Sequence, residues 1–343
     1  MREIEYRFQI MRNNVPYDEL RAMGAPTVRH QGSATITRSL SGTFRKPTKE
    51  INWFNDRVRP QMWLDGKWNS LGVFVASSVT EDYANGASTI ALQAMDRALL
   101  VKQVSTEGLL HLTAGERYLD VIKRMLTECG ITGVLSDENE DVLTTDREDW
   151  NEGTSYITII NALLSEIAFT PLWFDAEGYA RLTRYVEPSA ANIDHVYSTG
   201  NSSLIADACS VAQDIYNPVN VFKAVVSNAD MEAPMVATAV NDNVTSPIST
   251  VSLGRRILAP IVRLDNIASQ EALQAYVDRL RFESQLAEEK ITFTTANLPT
   301  HSNADTIALE HERLRGIYQE TDWTMQLAYS GKMTHKAKRI LFL

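Results

Sequence analysis

The last quarter of the chain, from Ser269 to Leu343, most restricts what the whole can become, because it sets one helix, at least two strands and a basic closing segment in unbroken order. Leu273, Tyr276, Val277, Leu280 and Ala287 recur at helical spacing, with Ser269 placed to cap and Glu271 in the first turn. Ile291 and Phe293 then alternate with Thr292 and Thr294, and Trp323, Met325, Leu327 and Tyr329 alternate with Asp322, Thr324, Gln326 and Ala328, the period of half-buried strands. Between them Leu298 to Asp305 (LPTHSNAD) is a loop by its Pro, Ser, Asn and Asp content, and Gly316 interrupts the approach to the second strand. The expectation is a helix lying across a small antiparallel sheet. At the end, Lys336, Lys338 and Arg339 precede Ile340-Leu341-Phe342-Leu343, and four apolar residues in a row predict burial rather than a frayed tail.

The start of the chain reads as strands. Met1 to Ile10 alternates loosely and meets Asn13-Asn14, a turn signal. From Ala34 to Phe44, hydroxyl residues Thr35, Thr37, Ser39, Ser41 and Thr43 occupy one face, while Ile36, Leu40 and Phe44 share the other with Arg38. Pro60 to Val79 predicts a hairpin with Asp65-Gly66 at its turn, flanked by Trp63 and Trp68. Ser88 to Met95 adds a strand, so residues 1–105 are expected to form an all-β unit of four to six strands closed as a small barrel.

Residues 106–190 change character. Thr113 and Glu116 make a capping box before the apolar stripe Leu119, Ile122, Met125, Leu126 and Cys129, which Gly130 ends. A second helix is predicted over Thr154 to Ala168, and a hairpin turns at Asp175 to Gly178. Ala190 to Ser203 reads as a polar linker, Val219 to Val226 as a strand, and Asn228 to Ser249 as a long irregular loop. The fold class is therefore α+β and β-rich, with an α+β unit inserted between β units spanning 1–105 and 191–343.

Composition narrows function. The 343 residues, 44% apolar and 22% charged, suit a globular protein with room for two or three cores. The apolar runs fall short of a bilayer span, and Met1-Arg2-Glu3 opens no signal peptide, so no membrane insertion and a cytoplasm-like site of synthesis are expected. A formal charge of −10 argues against a nucleic-acid coat, and Cys129 and Cys209 are read as small buried hydrophobes.

Chemistry-bearing motifs are sparse. His311-Glu312 begins like a metalloprotease helix, but Arg315 stands where the second His belongs. Asp137, Asn139, Asp141 and Glu148 fall at positions 1, 3, 5 and 12 of a calcium loop, yet Val142 replaces the glycine of its sharp turn and no helix follows, so a solvated acidic loop is the expectation. His301 and Asp305 could form a catalytic or metal pair, against a polar turn closing a hairpin. No catalytic, cofactor or metal residue is assigned.

Gly153-Thr154-Ser155-Tyr156-Ile157, Ile160 to Leu164, Phe174 to Tyr179, Tyr216-Asn217-Pro218-Val219-Asn220, the Leu298 to Asp305 loop, and Gly316-Ile317-Tyr318 with Trp323 and Gly331-Lys332-Met333 follow one another in telling order. With Asp65-Gly66-Lys67-Trp68 and Leu71-Gly72-Val73-Phe74, they make the chain resemble the baseplate or tail-tip hub proteins of tailed phages and related contractile injection systems over nearly its whole length. That resemblance implies two tube-like β-barrel domains around an α+β insert. It also implies a homotrimer whose six barrels form a pseudo-sixfold ring in the virion tail tip, assembled in the bacterial host cytoplasm. The implied partners are the tail tube or distal tail protein, a central spike or tip protein and the tape measure protein, with DNA passing through the lumen without specific binding. Many hub chains carry an appended lysozyme, peptidase or spike domain. This one stops at Leu343, so no enzymatic activity of its own is expected, against the alternatives of a peptidoglycan-degrading tail enzyme or a host-receptor-binding tip protein.

Overall fold

The computed structural model describes residues 4–84, 87–199, 204–213, 218–227, 233–286, 289–311 and 314–340. The first part of the chain makes β1 (Glu5–Arg12), β2 (Val15–Leu20), β3 (Thr27–Gln31), β4 (Arg38–Arg45), β5 (Arg57–Leu64), β6 (Lys67–Ser70), β7 (Phe74–Ala84) and β8 (Ala87–Asp96). Asn13 and Asn14 take φ of 51° and 62° between β1 and β2, and Asp65 and Gly66 take 53° and 82° between β5 and β6. These are the left-handed pairs that two-residue hairpin loops require.

The middle comprises α1 (Ala98–Gln103), β9 (Leu110–Leu112), α2 (Tyr118–Glu128), β10 (Val134–Ser136), β11 (Arg147–Trp150), α3 (Tyr156–Glu166), β12 (Trp173–Phe174) and β13 (Ala180–Leu182). Its core is made by Val121, Ile122 and Leu126 of α2 with Ile160, Leu163 and Leu164 of α3, and α1 adds Ala98 and Val101 to it. The Glu116 carboxylate does accept the Thr113 N–H, at 3.0 Å, but α2 starts one turn later, after Arg117. The turn at Asp175 to Gly178 rests on the first unit, where Ser70 Oγ donates to Ala176 O at 2.6 Å. A Cβ on Gly178, whose φ is 86°, would lie 2.9 Å from Val73.

The remainder is β14 (His195–Ser198), β15 (Ile205–Gln213), β16 (Val221–Val226), β17 (Met235–Val240), α4 (Thr250–Leu253), β18 (Val262–Leu264), α5 (Gln270–Leu286), β19 (Glu289–Ala296), β20 (Thr306–Glu310), β21 (Arg315–Gln326) and β22 (Lys332–Arg339). Three expectations change here. The polar linker contains β14, which pairs in parallel with β20. The irregular stretch from Asn228 to Ser249 contains β17, although 228–232 lie outside the described residues. And α5, capped by Ser269 Oγ accepting the Ala272 N–H at 3.1 Å, covers the separate mixed sheet β17-β16-β18 with Leu273 and Val277.

The protein is β-rich with few helices, 45% strand against 15% helix, but among the described residues no closed barrel is found. The main sheet runs in one path, β15-β19-β22-β21-β3-β4-β8-β7-β5-β1-β2, with β6, β14 and β20 branching from it. The edge of β3 that a barrel would use for closure is instead paired with β21. Among the described residues, an isolated bridge from Ala22 to Phe44 brings the segment between β2 and β3 onto β4.

β21 therefore serves both β units. Residues 315–319 pair with β20 and residues 322–326 with β3. Between them the register against β22 slips at Thr321, a bulge that inserts one residue. The bulge resets the alternation, so that Tyr318 and Glu320 before it and Trp323 and Met325 after it all point inward. Trp323, Met325, Leu327 and Met333 consequently join Phe8, Leu40, Phe44, Val58 and Phe74 in the core of the first unit.

On the strand of residues 38–45, Ser41 and Thr43 are exposed as expected, while Thr37 just before it is buried and donates to Asp96 Oδ2 at 3.1 Å. Ile340 is buried against Phe282; Leu341-Phe342-Leu343 lie outside the described residues, as do Ala287 of the helical stripe and Tyr216-Asn217. Among the described residues no helix is long and apolar enough to cross a membrane.

Candidate functional site

Beneath the Leu298 to Asp305 loop a row of side chains crosses the sheet. Register sets Arg38 of β4 opposite His30 of β3, His30 opposite Trp323 of β21, Trp323 opposite His335 of β22, and His335 opposite Phe293 of β19. Opposed residues share a face, so the row is continuous, and each member is at most 2% exposed. His30 stacks on Trp323 with ring centroids 5.6 Å apart, and the Arg38 guanidinium lies 5.5 Å from the same indole. Trp323 Nε1 donates to Ser302 O at 3.3 Å and so ties the loop to the row.

The loop brings His301 down onto β21. His301 Nδ1 is 2.6 Å from Glu320 Oε2, and His335 Nδ1 is 2.6 Å from Glu320 Oε1, with all three side chains wholly excluded from solvent. The far ring nitrogens are held too: His301 Nε2 is 2.6 Å from the Tyr197 hydroxyl of β14, and His335 Nε2 is 2.7 Å from Thr295 Oγ1 of β19. Toward the surface, His195 stacks on His301 at 3.9 Å and its Nε2 meets Asp305 Oδ2 at 3.1 Å. The Ser302 N–H donates to the same Asp305 oxygen at 2.7 Å. Among the described residues, two triads, His195–His301–Asp305 and His301–Glu320–His335, each place three ligand atoms within 4.8 Å of one another.

Burial governs the electrostatics. It pushes the Glu320 carboxyl up to about 7 against the lowering effect of His335. It pushes His301 down to about 3, assisted by His195, and lowers His335 as well. His30 falls to about 3 through burial and the Arg38 charge. For Asp305 burial acts upward, but the hydrogen bonds from His195 and the Ser302 N–H outweigh it and hold the carboxyl below its ordinary value. A carboxyl near neutrality between two imidazoles has the composition of a general acid–base centre. All three side chains are wholly excluded from solvent, and His195 and Asp305 stand between them and the surface.

No protein-family profile matches the sequence, and neither does any curated protein. Solved structures do match in three dimensions. The tail protein from Neisseria meningitidis MC58 superposes with a TM-score of 0.68 at 11% identity, covering 98% of this chain and 97% of that one. The fold is that of phage tail proteins. The 43 kDa tail protein of prophage MuSo2 from Shewanella oneidensis shares it at a TM-score of 0.66 and 11% identity, over 98% of both chains. So does an E. coli component of the type VI secretion system, at 0.53 and 12% identity over 97% of this chain and 77% of that one.

Within this phage-tail fold the sequence-derived candidates separate. His301 and Asp305 do come together, with Nδ1 3.9 Å from Oδ2, and the Ser302 hydrogen bond shows the same loop to be a polar turn as well. His311 is buried at the end of β20 rather than on a helix, and Glu312 lies outside the described residues. Of the acidic loop, Asp137 Oδ2 accepts the Arg184 N–H at 2.8 Å, and Asn139 Nδ2 donates to Asp141 Oδ2 at 2.7 Å. Glu148 faces His111 on the β9–β11 pair, at 3.2 Å. Asn139 and Asp141 line a cleft of about 570 Å³ with Glu138, Glu140, Arg184 and Glu271, to which Glu148 does not contribute.

His195, Tyr197, Glu320 and His335 were not singled out by sequence. The available signal is His335 itself, an ionisable residue at an inward position between Met333 and Ala337.

Proposed function

We propose that this protein is a structural hub of a phage tail tip or baseplate, located in the virion and non-enzymatic. The observation that carries the reading is the sharing of one fold across 98% of this chain and 97% of a phage tail protein. The bacterial secretion component with the same fold bears the description of similarity to T4 bacteriophage tail proteins, which extends the reading to contractile injection systems generally.

In this reading the chain is divided at about residues 105 and 190 into β unit, insert and β unit. Three copies set six β units around an axis, joining a sixfold tail tube or distal tail protein to a threefold spike or tip, with the tape measure protein as a further neighbour. The exposed hydroxyls of Ser41 and Thr43 and the net charge of −10 suit a channel wall that DNA passes without adhering.

Light scattering on the purified protein should give a mass three times that of the chain. A monomeric mass at tens of micromolar, with no trimer recovered by cross-linking intact particles, would overturn the trimeric hub. The same preparation should leave cell-wall peptidoglycan intact in a zymogram.

A further inference from the structure

We propose that the buried cluster is a binding site for one divalent transition ion of the zinc class, with His301 Nδ1, His335 Nδ1 and the Glu320 carboxylate as ligands. The placing of the ligand atoms leads to it. His301 Nδ1 and His335 Nδ1 each stand 2.6 Å from one of the two Glu320 oxygens, with all three side chains sealed from solvent. The three ligand atoms lie within 4.8 Å of one another, and the cation they share is either a proton or a metal ion.

Three observations favour the metal. His301 and His335 hold their far nitrogens on Tyr197 and Thr295, the outer contacts that orient metal-bound imidazoles and fix their tautomers. Two carboxylates, Glu320 and Asp305, are gathered among three imidazoles; one divalent ion neutralises both, whereas one shared proton neutralises one. Finally, the two triads overlap at His301. His195 and Asp305, with side chains 11% and 10% exposed, lead from the surface to the fully enclosed Glu320 and His335, which gives an ion a way in. Nitrogen and carboxylate donors of this kind suit zinc and its first-row neighbours rather than magnesium or calcium. Bonds of about 2.0–2.1 Å near the tetrahedral angle set ligand atoms about 3.3 Å apart, so the two 2.6 Å contacts would open by roughly 0.7 Å through rotation of the Glu320 carboxylate and the two rings. Binding ties β14, the Leu298 to Asp305 loop, β21 and β22 at one point, and each imidazole or carboxyl proton displaced from the cluster passes to solvent.

The test uses the full chain. Elemental analysis after purification without chelator should find close to one transition ion per chain, and cobalt(II) added to chelator-stripped protein should give visible ligand-field bands displaced by zinc. Thr295→Val leaves all three ligands in place and should weaken zinc binding roughly ten- to hundredfold. Leu258→Ser, a substitution of a residue 51% exposed and bridged to Val221 of the separate β17-β16-β18 sheet, should leave it unchanged. If stripped protein shows no cobalt bands, no proton release and no change in melting temperature with added zinc, the cation is a proton and the proposal is overturned. Zinc affinity equal in the Thr295→Val and parent proteins would equally sink the assigned ligand geometry.

Discussion

His335 Nδ1 stands 2.6 Å from Glu320 Oε1 with both side chains sealed from solvent, and His301 holds the other carboxylate oxygen at the same distance. Whichever cation lies between them, Glu320 is the one acceptor the two imidazoles share. Glu320→Ala should therefore destabilise the protein by about 3–5 kcal/mol, because it leaves the two buried Nδ1 atoms without Glu320 while Tyr197 and Thr295 still hold the far nitrogens. Urea unfolding of parent and variant at pH 7 measures this, and a loss below about 1 kcal/mol would show the cluster to be dispensable.

Trp323 belongs by sequence to the second β unit and by packing to the core of the first. Trp323→Ala should cost about 3–5 kcal/mol. Because the core is shared, both β units should unfold in one transition in parent and variant alike. Two separated calorimetric transitions, with only the later one shifted by the substitution, would contradict the shared core.

His30 governs part of the acid limb of stability. Its folded-state value, about 3, lies below the ordinary 6.5, so the unfolded chain takes up the proton first as pH falls. The stability it supplies is complete above pH 6.5 and is lost progressively as pH drops toward 3. Between pH 7 and 4.5 that loss is roughly 3 kcal/mol for one group. His30→Phe keeps a ring on Trp323 and should shrink the stability difference between those two pH values by about that amount, read from urea melts. The contribution of Glu320, of opposite sign, is present in both proteins and cancels.

In the insert, Arg147 grips Glu166 with Nη1 donating to Oε2 at 2.9 Å and Nη2 to Oε1 at 3.0 Å, while the Tyr118 hydroxyl donates to Oε2 at 2.8 Å. Glu166→Ala removes both of these contacts and the Tyr118 acceptor while Arg147 Nε keeps Asp149, and a loss of about 1–3 kcal/mol is expected in thermal or urea unfolding. Glu166→Gln, which keeps one acceptor, should cost less.

The acidic loop should be indifferent to calcium. Millimolar calcium is expected to leave the melting temperature of the parent and of Asp141→Ala unchanged. A rise in the parent that Asp141→Ala abolishes would instead make the loop a binding site.

Local chemistry was legible in the sequence where it was self-contained. Asn13-Asn14 and Asp65-Gly66 announced their turns because few residue pairs accept two consecutive left-handed conformations, and Ser269 announced α5 through its cap. β17 was hidden because Ala237 and Ala239, its buried positions, carry too little apolar weight to stand out from a stretch rich in Asn, Asp and Pro. The alternation from Trp323 onward was visible, yet the bulge at Thr321 was not, and without it Glu320 falls out of phase with Trp323. The cluster could not be read at all from spacing: His195, His301, Glu320 and His335 come from three strands and a loop, and only the pairing of β14 with β20 and β21 with β22 assembles them.

Sharing β21 has a consequence for how such a gene can be shuffled. A crossover that replaced the second β unit while keeping the first would separate residues 27–31 from the partner edge at 322–326, and with it Trp323 from the pocket it fills. Those two segments must travel together from one parent. The insert is bound more loosely, since the fully buried residues of its core fall between 98 and 182, with Ile36 and Ala268 packing against it from outside. Exchanging it as a cassette between relatives would require an incoming hairpin with a glycine where Gly178 meets Val73 and a core that accepts Ile36 and Ala268.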